Sequence, residues 1–207
     1  MHRPKAFAVD DVAALHRFIR EQPFATIAVA LDGAVVFAYA PVVLDAGNAL
    51  GSVRFHLAAI NPVAGVQEGT RMHFSFAGPN AYVSPDWYAS HGLVPTWNYI
   101  AVEGEGYARF LAAEELRALL TGLSAEQEAK LFPKTPWTVD KVSPDRLAAL
   151  TSAIVGISVT FETLEGKFKL SQDKKPEDIA GVMAGLEGCG GAADVAVAKA
   201  MREVGDD

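Results

Sequence analysis

The spacing of apolar positions changes along the chain, and each change predicts an element. Asp10 or Asp11 can cap a helix in which Val12, Leu15, Phe18 and Ile19 share one face, with Pro23 just beyond as a stop. From Phe24 the period shortens: ATIAVAL, AVVFAYAPVVL, SVRFHL and RMHFSFA are alternating or continuous apolar runs bounded by Asp32-Gly33, Gly47-Asn48 and Glu68-Gly69. They read as antiparallel strands. Asp32-Gly33 predicts a two-residue hairpin turn, since both residues tolerate positive φ. Between Leu57 and Val66 a short helical link is expected to end at Asn61-Pro62. TWNYIAVEGEGYARF reads as one long strand, bulged or bent at Gly104 and Gly106.

Residues 112–121 and 124–131 read as two helices, the second opened by Ser124 with Gln127 three positions on, and Ser143-Pro144 starts a further helix. GISVTFETLEGKFKL is the last strand, with Ile157, Val159, Phe161 and Leu164 alternating against Ser158, Thr160 and Glu162. Pro176 opens a helix carrying Ile179, Val182, Met183 and Leu186 at helical spacing, and Ala192–Val204 forms the last one. The pattern predicts one α+β domain over 1–207, with a barrel-like antiparallel sheet of about six strands. Peripheral helices, a helical insert near 112–153 and a helical extension over 176–207 complete it. Closure of the sheet would remove exposed strand edges.

Composition narrows the function classes. No stretch reaches the roughly 18 apolar residues of a membrane span, and the N-terminal MHRPKAFAVDD places an acidic pair where a signal peptide needs apolar residues. A cytoplasmic protein is expected. Cys189 is the one cysteine, which excludes an intramolecular disulfide and paired-cysteine metal sites. A net charge of −7 opposes binding to a phosphate backbone, and the one gathering of cations, Lys167, Lys169, Lys174 and Lys175, has no aromatic-interleaved basic helix with it. Direct DNA binding is therefore not expected. His56, His73 and His91 with Asp86 lack metal-ligand spacing, no nucleophile motif is present, and no catalytic residue is identifiable.

The segment Ala81–Tyr99, AYVSPDWYASHGLVPTWNY, concentrates tyrosines, tryptophans and prolines. Such flat, amphipathic faces suit either a planar heteroaromatic ligand or a subunit interface, and the prolines restrict the loop. AYVSPDWY followed by VPTWNY, GKFKLSQ and PEDIAGVMAGL resembles the PaiB-like family of FMN-binding negative transcriptional regulators. PKAFAVDD, FIREQPFATI and HLAAINP extend the resemblance over nearly the whole chain.

The resemblance implies a split β-barrel related to pyridoxamine-phosphate oxidase. It also implies a homodimer with flavin mononucleotide (FMN) at the dimer interface, and a regulatory role. It places Ser52, Arg54, His56 and Asn61 at the link that would meet the phosphate, a group needing cations and hydrogen-bond donors. Tyr82, Trp97 and Tyr99 would shape the interface pocket, and Lys169, Ser171 and Gln172 would supply donors to the cofactor. The chain departs from the family pattern at Ala59, where the family carries arginine, and at Phe37-Ala38-Tyr39-Ala40-Pro41, which lacks the histidine usual before this proline. Glu103 stands for a histidine and Asp173 for an asparagine, and both changes weaken anion binding. A second expectation follows: a flavin-less barrel dimer that binds a protein partner or another planar small molecule.

Overall fold

In the computed structural model, which describes residues 1–205, the elements follow the predicted order with four corrections. Among the described residues there are eight strands, not six: β1 (Ala8–Val9), β2 (Phe24–Leu31), β3 (Ala34–Pro41), β4 (Val43–Asp45), β5 (Ser52–Ala58), β6 (Arg71–Val83), β7 (Thr96–Phe110) and β8 (Ile154–Lys169). The helices are α1 (Val12–Glu21), α2 (Ala113–Ala129), α3 (Pro144–Ser152), α4 (Pro176–Cys189) and α5 (Ala192–Gly205). The extra strands are the short β1 and the split of AVVFAYAPVVL at Val42, whose N–H turns to the Pro23 carbonyl at 2.9 Å.

Strand order is β3-β2-β6-β7-β8-β5-β4, with β1 beside β8, and every register recorded is antiparallel. The expected closure does not occur: the hydrogen-bonded path ends on β3 at one side and β4 at the other. The fold is α+β, of the split-barrel kind, with an open path of strands.

Two helical expectations are also corrected. Residues 112–121 and 124–131 form one helix, α2. Gly122 has open space around it and is tolerated mid-helix at a cost of about 1 kcal/mol relative to alanine. The helix is opened by Glu115, whose carboxylate accepts from the Ala112 N–H at 2.9 Å, so the Ser124 box is not used as a start. Asn61-Pro62 begins a helical turn where an ending was expected: Pro62–Gly65 is a 3₁₀ turn capped by Asn61 Oδ1, which accepts from Val63 N–H at 2.9 Å.

The chain divides into two compact units, and β6, β7 and β8 each run through both. One unit comprises Ile19–Ser75 and Gly104–Leu164. Its core is aromatic: Phe74 meets Phe55 and Phe161 edge to face, with ring centroids 5.6 and 5.8 Å apart, within fully buried Ile27, Val53, Met72 and Ile157. Gly104 and Gly106 serve close approach here. A Cβ at Gly104 would lie 2.6 Å from the Phe161 ring, and one at Gly106 would lie 2.0 Å from the Thr160 carbonyl oxygen. Asp32-Gly33 forms the expected turn at φ 49° and 79°, joining Leu31 and Ala34 in register.

The other unit comprises Met1–Phe18, Phe76–Glu103 and the described residues from Glu165 onward. Asp11 caps α1 through the Ala13 N–H at 2.9 Å, and Leu15 and Phe18 are buried as predicted. β1 pairs Ala8 with Lys167 and Val9 with Gly166. α4 packs on α5, burying Val182, Leu186, Val197 and Met201.

Candidate functional site

The expected site residues fall into two groups, one in each unit. On β5, Val53, Phe55 and Leu57 point into the core, so Ser52, Arg54 and His56 share the opposite face. That face is not a solvated strand surface. Arg54 Nε and His56 Nδ1 are both buried, and neither has a hydrogen-bond partner. Register places Ser158 opposite Arg54 and Gly156 opposite His56. Gly156 leaves room for Leu111, just before α2, and Leu116 in its first turn, each of which would lie within about 3 Å of an added Cβ. Burial lowers the His56 pKa below its ordinary 6.5, so the ring is neutral at pH 7. Glu115 stays ionised down to about 2, held chiefly by Arg109, then by the Ala112 N–H, and more weakly by the charge of Arg54. Asn61, the fourth member of this group, spends its side-chain oxygen on its own turn.

In the other unit Tyr82 and Trp97 meet edge to face with centroids 6.2 Å apart, and Lys167 Nζ lies 5.3 Å from the Tyr99 ring centre. Trp97 and Tyr99 line a shallow hollow of about 340 Å³ with Gly78, Asn80 and Ile100. Trp97 remains 53% exposed and Tyr82 45%, which leaves flat apolar surface open to contact.

Lys169 and Ser171 line a second, more enclosed cavity of about 200 Å³. Lys169 Nζ donates to Thr96 Oγ1 at 2.5 Å and to the Trp97 carbonyl at 2.6 Å, and burial lowers its pKa. Ser171 is buried in the left-handed region at φ 68°, an uncommon conformation for a side chain of this size, and Asn98 Nδ2 donates to its Oγ at 2.9 Å. Gln172 is used locally. Its Oε1 accepts from Leu170 N–H at 2.7 Å, and its Nε2 donates to the Phe168 carbonyl at 2.6 Å.

The acidic departures are each matched by a cation. Glu103 lies 3.4 Å from the Met1 ammonium, and Asp173 lies 2.8 Å from Lys174 Nζ. Ala59 is exposed and supplies only its backbone, donating to the Ala153 carbonyl at 2.9 Å. Among the described residues no group of three or more histidine, cysteine, aspartate or glutamate side chains could hold a metal ion.

Trp87, Tyr88 and Asp178 were not singled out as site residues from the sequence. Trp87 lies against α4, where a Cβ on Gly185 would come 2.3 Å from its ring and one on Gly181 would come 2.0 Å from its carbonyl oxygen. Asp178, on the same face of α4, accepts from Ser90 N–H at 2.8 Å. The signal was present as Asp178-x-x-Gly181-x-x-x-Gly185, a stripe at helical spacing. SPDWY and PEDIAGVMAGL are thus two halves of one contact, which holds the loop carrying Tyr88.

Comparison with known proteins gives the chain a family and a fold. The family model described as "Putative FMN-binding domain" matches residues 1–163. The chain is 30% identical over 188 residues to "Protease synthase and sporulation protein PAI 2" of Bacillus subtilis, covering 90% of this chain and 89% of that protein. It is 29% identical over 246 residues to an uncharacterised protein of Emericella nidulans, with 100% of this chain and 98% of that one covered. Among solved structures it is similar to the flavocytochrome Anf3 of Azotobacter vinelandii, with a TM-score of 0.57 at 16% identity over 81% of this chain and 72% of that one. The FAD and heme binding protein of Mycobacterium smegmatis gives a TM-score of 0.56 at 17% identity over 84% and 78%. At those identities the structures support the fold alone.

Proposed function

Since the chain belongs to the family described as "Putative FMN-binding domain", we propose that it binds FMN, with the phosphate drawn to Arg54 and His56 on β5. One observation carries this reading: Arg54 Nε and His56 Nδ1 are buried on one strand face without partners. Buried polar atoms left unpaired cost free energy, and a ligand with several acceptor oxygens would satisfy both. The Ser52 hydroxyl lies on the same face and can add a donor. Tyr82, Trp97 and Tyr99 offer flat surface to a ring system, and Lys169 and Ser171 remain candidate donors to the cofactor. A bound flavin would supply the hydride or electron chemistry itself. The residues of this chain bind it, orient it and neutralise its phosphate.

We also read the fold as a homodimer with the flavin at its interface. Phe24 of β2 and Val35, Phe37 and Tyr39 of β3 are each 55–64% exposed, although all are large apolar side chains. Register aligns them into one patch, with Tyr39 opposite Thr26, Phe37 opposite Ala28 and Val35 opposite Ala30. A contiguous apolar sheet face of this kind marks an association surface. The regulatory role implied by the resemblance would act through a protein partner or the state of the flavin and not through promoter DNA. Three of the four gathered cations are engaged, Lys169 with Thr96, Lys174 with Asp173 and Lys167 over Tyr99.

The test is an absorbance spectrum of the protein with and without FMN, scanned also for haem, followed by melting curves against FMN and riboflavin. FMN should raise the melting temperature by mass action and riboflavin, lacking the phosphate, should raise it less. Arg54→Met should abolish the difference between the two. Equal shifts with FMN and riboflavin would remove the phosphate assignment, and no shift at millimolar FMN would remove the flavin reading.

A further inference from the structure

The cavity beside Lys169 has features that the flavin reading does not use. At about 200 Å³ it is smaller than the roughly 300 Å³ and above typical of pockets for drug-sized ligands, so it suits a smaller molecule. Its walls combine Leu93, Val94 and Pro95 with a polar end formed by Tyr88, Lys169, Asp173 and Lys174. Tyr88 is 9% exposed, and its hydroxyl is buried with no partner. Burial raises the Tyr88 pKa, which keeps that hydroxyl a donor at neutral pH.

The charges determine what can enter. Lys174 is paired with Asp173 at 2.8 Å, whereas among the described residues no carboxylate lies in ion-pair contact with Lys169. Of the three ammonium protons of Lys169, two are used by Thr96 Oγ1 and the Trp97 carbonyl, and one remains. Asp173 also lines this end and its charge reaches Lys169, so two lysines stand against one carboxylate and the polar end presents a net single positive charge, one remaining ammonium proton and one buried hydroxyl donor. A monoanion with two acceptor oxygens meets that set, whereas a phosphate dianion would leave charge uncompensated. Ser171, held at positive φ by Asn98 at the same cavity, fits a wall kept in a costly conformation for the sake of its shape.

We propose that this cavity binds a small organic carboxylate, its oxygens held by the Tyr88 hydroxyl and the Lys169 ammonium and its short apolar body packed on Leu93 and Val94. Every residue involved lies in one unit and none is on β5, so the site is independent of the proposed phosphate contact; Lys169 and Ser171 are the residues it shares with the proposed flavin contacts, and titration without FMN reads it alone.

Isothermal titration of the full chain with benzoate and butyrate tests this, with benzamide as the neutral analogue and inorganic phosphate as the dianion. A carboxylate should bind at least about tenfold more tightly than benzamide or phosphate, and Tyr88→Phe should weaken it by about tenfold or more. Without ligand, Tyr88→Phe should melt no lower than wild type, because the deleted oxygen has no partner to lose. Lys169→Met should abolish the preference for carboxylate over amide. The proposal is overturned if neither carboxylate binds wild type up to about 10 mM, if benzamide or phosphate binds as well, or if Tyr88→Phe binds unchanged. The FMN titration with Arg54→Met fails or succeeds separately, so the two sites are judged apart.

Discussion

His56 shows how the burial of a single side chain can make stability depend on pH. Its ring is kept neutral by burial, with Nδ1 unpartnered, and its pKa lies below the ordinary 6.5. Above about pH 6.5 the ring is neutral in both folded and unfolded chains and makes no pH-dependent difference. As pH falls through the window below 6.5, the unfolded chain takes up the proton first, so stability drops until the folded pKa is reached. Urea midpoints measured from pH 8 to pH 5 should fall, and His56→Gln should flatten that part of the profile. A phosphate at Arg54 would reverse the preference by stabilising the imidazolium. FMN should then bind more tightly at pH 6 than at pH 8 in wild type, and equally in His56→Gln. Alternation alone put Arg54 and His56 on one strand face. That Arg54 Nε and His56 Nδ1 are buried and unpartnered is a product of the fold, which no local pattern in β5 could reveal.

At the level of elements, strands were legible where one face is buried and helices less so where neither face is. β7 was read over its full length from Thr96 to Phe110 because its alternation is uninterrupted. α2 was read as two helices because its outer positions are mostly exposed and Gly122 and Ser124 mimic a boundary. The cavity proposed for a carboxylate was not legible as a unit. Its walls come from Phe7, from 88–98 and from 169–174, stretches brought together only by folding. The α4 contact turns on glycines, whose signal is the absence of a side chain. Gly185→Ala would drive a methyl group to 2.3 Å from the Trp87 ring, an overpacking that costs about 1–3 kcal/mol. Denaturant unfolding should show that loss, and carboxylate binding should weaken as the loop carrying Tyr88 is displaced. Unchanged stability would mean that Trp87 can move aside without consequence.

For the whole molecule, the open path of strands and the exposed apolar face of β2 and β3 belong together. β3 ends the sheet, and its outward residues Val35, Phe37 and Tyr39 carry no charge to discourage pairing or packing. Light scattering should give twice the mass of one chain, and Phe37→Asp combined with Tyr39→Asp should give the mass of one. FMN affinity should fall with the dimer if the interface completes the site. A wild-type chain that is monomeric at all concentrations would end this reading.

The three tryptophans sit in three separate settings: Trp87 against the glycines of α4, Trp97 half-exposed beside the hollow at Tyr99, and Trp137 in the helical insert. The protein therefore carries its own optical reporters. Light absorbed by Trp97 would be passed to a flavin bound at the proposed surface, the emission of Trp87 would follow the seating of its loop, and Trp137 would serve as an internal reference for both.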